Sequence, residues 1–186
     1  MPIEAELKAR VRDVPAVRAA LAGRADVEVA EYRDTYFDRA EDGFMDGGRE
    51  LRLRTVETSR SVRTLLTFKA QAVDEASGSK PEFETTVDDR NAAAAILAGL
   101  GYEQALEFTK HCENFEFEAA GYPMLATLVT VPEIEGTFLE VEAVVDSAED
   151  MAAALDAVRE VMRAAGISPD DFTTELYTDA VRRSRA

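Results

Sequence analysis

The stretch IEAELKARVR at positions 3–12 places Glu4, Glu6, Lys8, Arg10 and Arg12 on one side and Ile3, Ala5, Leu7, Ala9 and Val11 on the other. Strict alternation of this kind is a strand with one apolar face, because successive side chains point to opposite sides. The pattern recurs. LRLR offers Arg52 and Arg54, LLTFK offers Thr67 with Lys69, and PEFE offers Glu82 and Glu84. FTKHC offers Lys110, and FLEVE offers Glu140 and Glu142. Paired carboxylates are oxygen ligands for Mg2+ or Mn2+. Arginine and lysine clamp phosphate oxygens, arginine two at a time. Together they suit a metal-bound polyphosphate and phosphoryl or nucleotidyl transfer. That chemistry needs the charged faces to meet. A sheet with one wet face also explains the alternation strand by strand; a sheet curled into a barrel would turn the same faces into a lumen.

The elements that carry these residues follow in order. Strands are expected at 2–12, 27–38, 49–57, 61–70 and 81–88, one or two more within 102–118, and two at 124–131 and 137–145. GYP at 121–123 reads as a hairpin turn, 39–48 as a turn-rich connection and 71–80 as a polar loop. Asp13 with Pro15 opens a helix that ends at Gly23, and 89–101 is a second helix. Ser147 and Asp150 have the spacing of a capping box before a third, closed by Gly166. SPDDFTTELYTDAVRRSRA begins with another cap and yields a C-terminal helix. About eight mostly antiparallel strands and about four helices make an α+β chain, expected as one domain over 1–186. The helices need the apolar face of the sheet to cover, so a curled sheet would be apolar outside and ionic inside.

The 186 residues are enough for a proper core. There is no run near the ~20 apolar residues needed to cross a bilayer, no signal-peptide pattern, and a single cysteine, Cys112. The expectation is a cytoplasmic protein. A net charge of −16 argues against nucleic acid and against an anionic membrane as partners. The 21 basic residues include only four lysines, at 8, 69, 80 and 110. This balance resembles proteins of halophilic organisms, in which most carboxylates are a solvated coat. The few lysines concentrate in or beside the alternating strands, and a compact point charge suits phosphate.

Glu4-x-Glu6-x-Lys8 is similar to the ExExK signature of the CYTH superfamily, the triphosphate tunnel metalloenzymes. DTYFD at 34–38, ELRLR at 50–54, LLTFK at 65–69, EFE at 82–84, FTK at 108–110 and TFLEVE at 137–142 accompany it in family order. The likeness spans nearly the whole chain and looks nearest to the class IV adenylate cyclase-like branch. It implies an eight-stranded antiparallel β-barrel, or tunnel, with helices packed on the outside. It also implies a divalent metal, Mg2+ or Mn2+, a small-molecule triphosphate substrate, and a homodimer. By matching position, Lys8, Arg52, Arg54, Lys69 and Lys110 would contact the triphosphate. Glu4, Glu6, Glu140 and Glu142 would ligate or orient metal, and Glu82 and Glu84 would add an acidic pair. Glu4, Glu6 and Lys8 form the catalytic set. Arg10, Arg12 and Arg63 fit exposed ion pairs equally well.

Several positions depart from the pattern. The Asp many members carry on the strand before FLEVE is absent; Thr127 and Thr130 stand in that segment, with Glu133 or Glu135 as candidate substitutes. Pro81, with Lys80 beside it, replaces a basic residue, His111 stands where arginine is common, and Tyr177 lacks a basic residue before it. One histidine excludes a His-rich metal site, and DGGRE at 46–50 has no following helix to make a phosphate loop. Cys112 reads as a small core residue, and Tyr36, Phe37, Phe115 and Phe117 as core or dimer contacts. The resemblance implies conversion of ATP to cyclic AMP and pyrophosphate. Hydrolysis of tripolyphosphate or thiamine triphosphate is the alternative within the family, and a non-catalytic polyphosphate- or nucleotide-binding module the alternative outside enzymology.

Overall fold

The computed structural model of the chain describes residues 3–39, 44–73 and 79–186. Parts of the 39–48 connection and the 71–80 loop therefore lie outside the described residues. Eight strands are present: β1 (Ile3–Val11), β2 (Val27–Asp38), β3 (Glu50–Thr58), β4 (Val62–Lys69), β5 (Glu82–Val87), β6 (Glu103–Ala119), β7 (Tyr122–Thr130) and β8 (Thr137–Val145). All pair antiparallel, in the order β1-β8-β7-β6-β2-β3-β4-β5. The sheet curls until its edges meet at one bridge, Ile3 with Pro81, beside a hydrogen bond from Glu4 N to the Lys80 carbonyl at 3.2 Å.

The helices are α1 (Val14–Ala22), α2 (Arg90–Gly99), α3 (Ala148–Ala164) and α4 (Tyr177–Ser184). Their starts follow the expected chemistry. Asp13 accepts from Ala16 N, Asp89 from Asn91 N and Ala92 N, and Ser147 from Asp150 N, each satisfying an amide that the first helical turn leaves unpaired. The 102–118 segment is one 17-residue strand, returned to β7 by Ala120 and Gly121, both at positive φ (51° and 82°). A two-residue turn with that backbone matches the twist of the strands it joins.

The C-terminal segment differs from expectation. Ser168 opens only a 3-10 turn, Pro169–Asp171, and α4 starts later, at Tyr177. Between them the chain runs along the free edge of β1: Phe172 bridges Ala9, and Thr173 N donates to the Lys8 carbonyl at 2.9 Å.

The outward faces are apolar, as the alternation requires. Leu7, Leu139 and Val141 pack under Leu155, Val158 and Met162 of α3, with Phe115 and Met124 joining Val17 and Leu21 of α1. Phe37, Leu51 and Leu53 pack against Leu97 of α2. The interior is not wholly ionic, however. Tyr36, Phe108, Val129 and Phe138 close one part of it against Tyr177 and Val181 of α4, and Ala30, Val56 and Leu65 form a second small apolar cluster beside Tyr32.

Candidate active site

Period-two geometry carries the inward residues of each strand to one cavity of about 210 Å³. All eleven residues singled out from the sequence line it: Glu4, Glu6 and Lys8 of β1, Arg52 and Arg54 of β3, and Lys69 of β4. Glu82 and Glu84 of β5, Lys110 of β6, and Glu140 and Glu142 of β8 complete the set. Cross-strand register explains their depths. Lys8 sits opposite Glu140, Glu6 opposite Glu142, and Lys69 opposite Glu82.

The carboxylates divide into two groups. Oxygens of Glu4, Glu6 and Glu142 lie within 4.8 Å of one another. Burial pushes all three above the usual carboxylate range, and mutual repulsion adds to it. For Glu4 the repelling neighbours are Glu142, Glu82 and Glu6, and for Glu6 the first is Glu140, with Lys69 opposing in both cases. Glu142 is raised to about 7, by burial first and then by Glu6. Glu140 behaves oppositely: burial works against its charge, but Lys110 and Lys8 outweigh it and hold the carboxyl low. Three hard oxygen donors whose negative charge Lys69 only partly offsets fit a divalent cation such as Mg2+ or Mn2+. Glu140, also assigned to metal by resemblance, stands outside this group of three and faces the lysines.

The cations divide as well. Lys69 Nζ contacts Glu4, lies 2.7 Å from Glu82 Oε2 and 4.0 Å from Glu6 Oε2, and these carboxylates raise its affinity for the proton despite burial. It sits among acids rather than with the other cations. Lys8 and Lys110 flank the Tyr177 ring, their ammonium groups 4.4 and 4.2 Å from its centroid. Lys8 also donates to the Glu175 carbonyl. Burial lowers the Lys110 pKa, although Glu140 opposes the shift. Arg52 is 7% exposed and its Nε has no hydrogen-bond partner. A buried unpaired guanidinium N–H is costly unless a ligand completes it.

Of the positions set aside from the sequence, Arg12 pairs with Asp171 at 2.6 Å with most of its side chain exposed. Arg10 reaches Glu175 at 3.1 Å. Arg63, by contrast, lines the cavity. Thr127 donates to Asn114 Oδ1 at 3.0 Å, and Asn114 Nδ2 to the Tyr32 hydroxyl at 2.8 Å. A neutral chain thus occupies the place of the missing Asp. Glu133 pairs with Arg185 at 2.6 Å and supplies no substitute. Tyr36 lines the cavity while stacking on Phe108, and Cys112 is 1% exposed.

Sequence reasoning passed over Asp34, Glu50 and Tyr32. Asp34 lies inside the quoted DTYFD and Glu50 begins ELRLR; extending the period-two rule by two residues from Tyr36 and from Arg52 would have found both. Glu50 accepts from Lys80 at 2.5 Å, beside the bridge where the sheet closes.

The chain resembles several known proteins along nearly its whole length. It is 23% identical over 181 residues to a Methanocaldococcus jannaschii protein named "putative adenylate cyclase", covering 95% of this chain and 97% of that one. A solved structure of a Pyrococcus horikoshii protein matches with a TM-score of 0.85 at 22% identity, over 98% of this chain and 99% of that one. A second, a Hippeastrum protein described as a "putative adenylyl cyclase" with a dominant triphosphatase activity, matches with a TM-score of 0.65 at 16% identity, over 98% and 96%. These two likenesses are likenesses of fold. The CYTH domain model matches residues 2–177, and the chain belongs to the CYTH domain family.

Proposed function

We propose that this chain is a divalent-metal-dependent enzyme acting on a small-molecule triphosphate held in the ionic cavity. One observation carries the reading: a trio of repelling carboxylates and a set of buried cations share one small cavity. Protein counter-charges offset each group only in part, and a metal-bound polyanion would satisfy both. Glu4, Glu6 and Glu142 would hold Mg2+ or Mn2+, which when bound neutralises phosphate charge. Arg52, Arg54, Lys8 and Lys110 bind nonbridging phosphate oxygens. The Glu140 carboxylate offsets part of the charge of the two lysines. The walls exclude bulk water, which strengthens each of these interactions.

The name of the Methanocaldococcus relative supports ATP as substrate. In that reaction the ribose 3′-oxygen bonds to the α-phosphorus, the bond from that phosphorus to the pyrophosphate oxygen breaks, and the hydroxyl proton is lost. Cyclic AMP and pyrophosphate are the products. The description of the Hippeastrum protein favours a second reading, attack of water on the terminal phosphorus.

The test is a panel of ATP, tripolyphosphate and thiamine triphosphate with Mg2+ or Mn2+ in concentrated salt, scoring cyclic AMP, pyrophosphate and phosphate separately. Metal-dependent release of any of these supports the enzyme reading and identifies the reaction. Binding without turnover makes the cavity a binding module. The absence of both binding and turnover refutes the proposal. E4Q and E6Q are expected to lose turnover while keeping part of the triphosphate affinity.

A further inference from the structure

Arg52 and Arg54 are two residues apart on the inward face of β3. Like charges this close repel, and each long side chain has many rotamers to choose among. Yet the two are held differently. Asp34, directly opposite Arg54 in the β2–β3 register, is 0% exposed. Its Oδ1 accepts from Arg54 Nε at 2.6 Å and its Oδ2 from Arg54 Nη2 at 2.7 Å. The Tyr32 ring lies against the same guanidinium, 4.6 Å from its carbon. Arg54 is thus fixed along one edge and on one face, with three of its five N–H groups left for a ligand. Arg52 is loosely placed: Nη2 is 3.4 Å from Thr67 Oγ1, Nη1 is 3.8 Å from Asp34 Oδ2, and Nε has no partner.

We infer that Asp34 is a positioning residue for the phosphate-binding arginines. Its buried carboxylate locks Arg54 in the orientation that receives a phosphate group, and Arg52 closes on the same group from the other side. The inference rests on the triphosphate reading above and adds a residue that touches no substrate. A bidentate carboxylate–guanidinium pair sets geometry as well as charge, and preset geometry lowers the ordering cost of binding.

The sign of the effect separates this role from simple electrostatics. A negative charge beside a polyanion site opposes binding, so on charge alone D34N should tighten it. Positioning predicts the reverse. With Mg2+ present, D34N is expected to bind tripolyphosphate about tenfold more weakly by calorimetry, the scale of one lost charge-assisted hydrogen bond. In an R54M background adding D34N should cause no further weakening, leaving only the tightening expected from the lost negative charge, because Asp34 positions phosphate through Arg54. D34N leaves a buried guanidinium without its counter-charge; if it does not fold, R54M and D34N/R54M are compared, the double variant having lost both charges. Unchanged or tighter binding by folded D34N overturns the inference, as does a further loss of more than threefold on adding D34N to R54M. If the parent itself binds no tripolyphosphate, the triphosphate reading falls and this inference falls with it, a result distinct from a parent that binds and a D34N variant that matches it.

Discussion

Replacing Glu142 by Gln is expected to raise the stability of the metal-free protein while reducing its response to metal. The carboxylate oxygens of Glu4, Glu6 and Glu142 lie within 4.8 Å of one another. At that separation a pair of unit charges repels by about 3 kcal/mol at an effective dielectric near 20. Lys69 offsets part of this, and Glu142, raised to about 7, is fully charged only above that pH, so at about pH 8 neutralising it should recover about 1–2 kcal/mol. For a chain of 186 residues that is an increase of about 2–8 °C in Tm. Bound Mg2+ or Mn2+ would relieve the same repulsion in the parent. A ligand at a hundred times its Kd stabilises by about 2.7 kcal/mol, or roughly 5–11 °C here. E142Q should lose most of that gain. The assay is thermal unfolding followed by circular dichroism, with and without the divalent ion, in concentrated potassium chloride to screen the net charge of −16. The reasoning fails if the parent shows no divalent-specific shift, or if E142Q responds to metal as the parent does.

Two further perturbations probe the interior. Y177L removes the ring that Lys8 and Lys110 flank and its edge-on contact with Phe138, 5.3 Å between centroids. Losing two cation–π contacts and one aromatic pair should cost about 2–4 kcal/mol, lowering Tm by roughly 5–15 °C, whereas Y177F, which keeps the ring, should lose much less; equal losses in a thermal melt would refute this account. Asp34 gives a pH dependence of definite sign. Burial opposes its charge, but Arg54 and Arg52 outweigh it and hold its pKa below the unfolded value. Its stabilisation is therefore complete above the unfolded pKa of ~3.9 and is lost as pH falls toward the folded one. Acid titration of stability should show a component below about pH 4 that D34N lacks; identical acid limbs would contradict it.

Most strands were legible because they bury one face and turn the other to the cavity, so period-two alternation survives in IEAELKARVR, ELRLR and TFLEVE; β5 is the exception, with Phe83 49% exposed. Capping chemistry located α1 and α3 for the same local reasons. Legibility failed where an outcome depends on distant partners. Ser168 looks like a helix cap, yet the following residues gain more by lining the open edge of β1, which no local pattern records. Lys69 shows the same limit within the site. A lysine at the end of an alternating strand suits phosphate, but its contacts, Glu4 and Glu82, come from β1 and β5. The composition of β4 cannot say whether that ammonium meets a ligand or acidic neighbours. Asp34 was hidden differently. It opens the quoted DTYFD and the period-two rule places it on the inward face, but its role appears only when β2 pairs with β3 and sets it opposite Arg54.

β1 shows how one repeating pattern is divided among different tasks. Its five charged residues are spaced identically, and their type does not separate Lys8 from Arg10 and Arg12. What separates them is depth along the curled sheet. At one end Glu4 and Glu6 face the closing edge, where β5 and Lys69 bring further charge, and burial makes their ionisation costly. At the middle Lys8 meets Tyr177 and the Glu175 carbonyl. Beyond it, Arg10 and Arg12 reach Glu175 and Asp171 on the C-terminal segment, where solvent screens both pairs. Pairs whose arginines are this exposed contribute little individually, so the C-terminal segment is tied to the outer end of β1 chiefly through the backbone, by the bridge between Ala9 and Phe172 and the Thr173 N bond to the Lys8 carbonyl. The same alternation therefore has consequences for chemistry only where neighbouring strands remove water from it, and that boundary falls between Lys8 and Arg10.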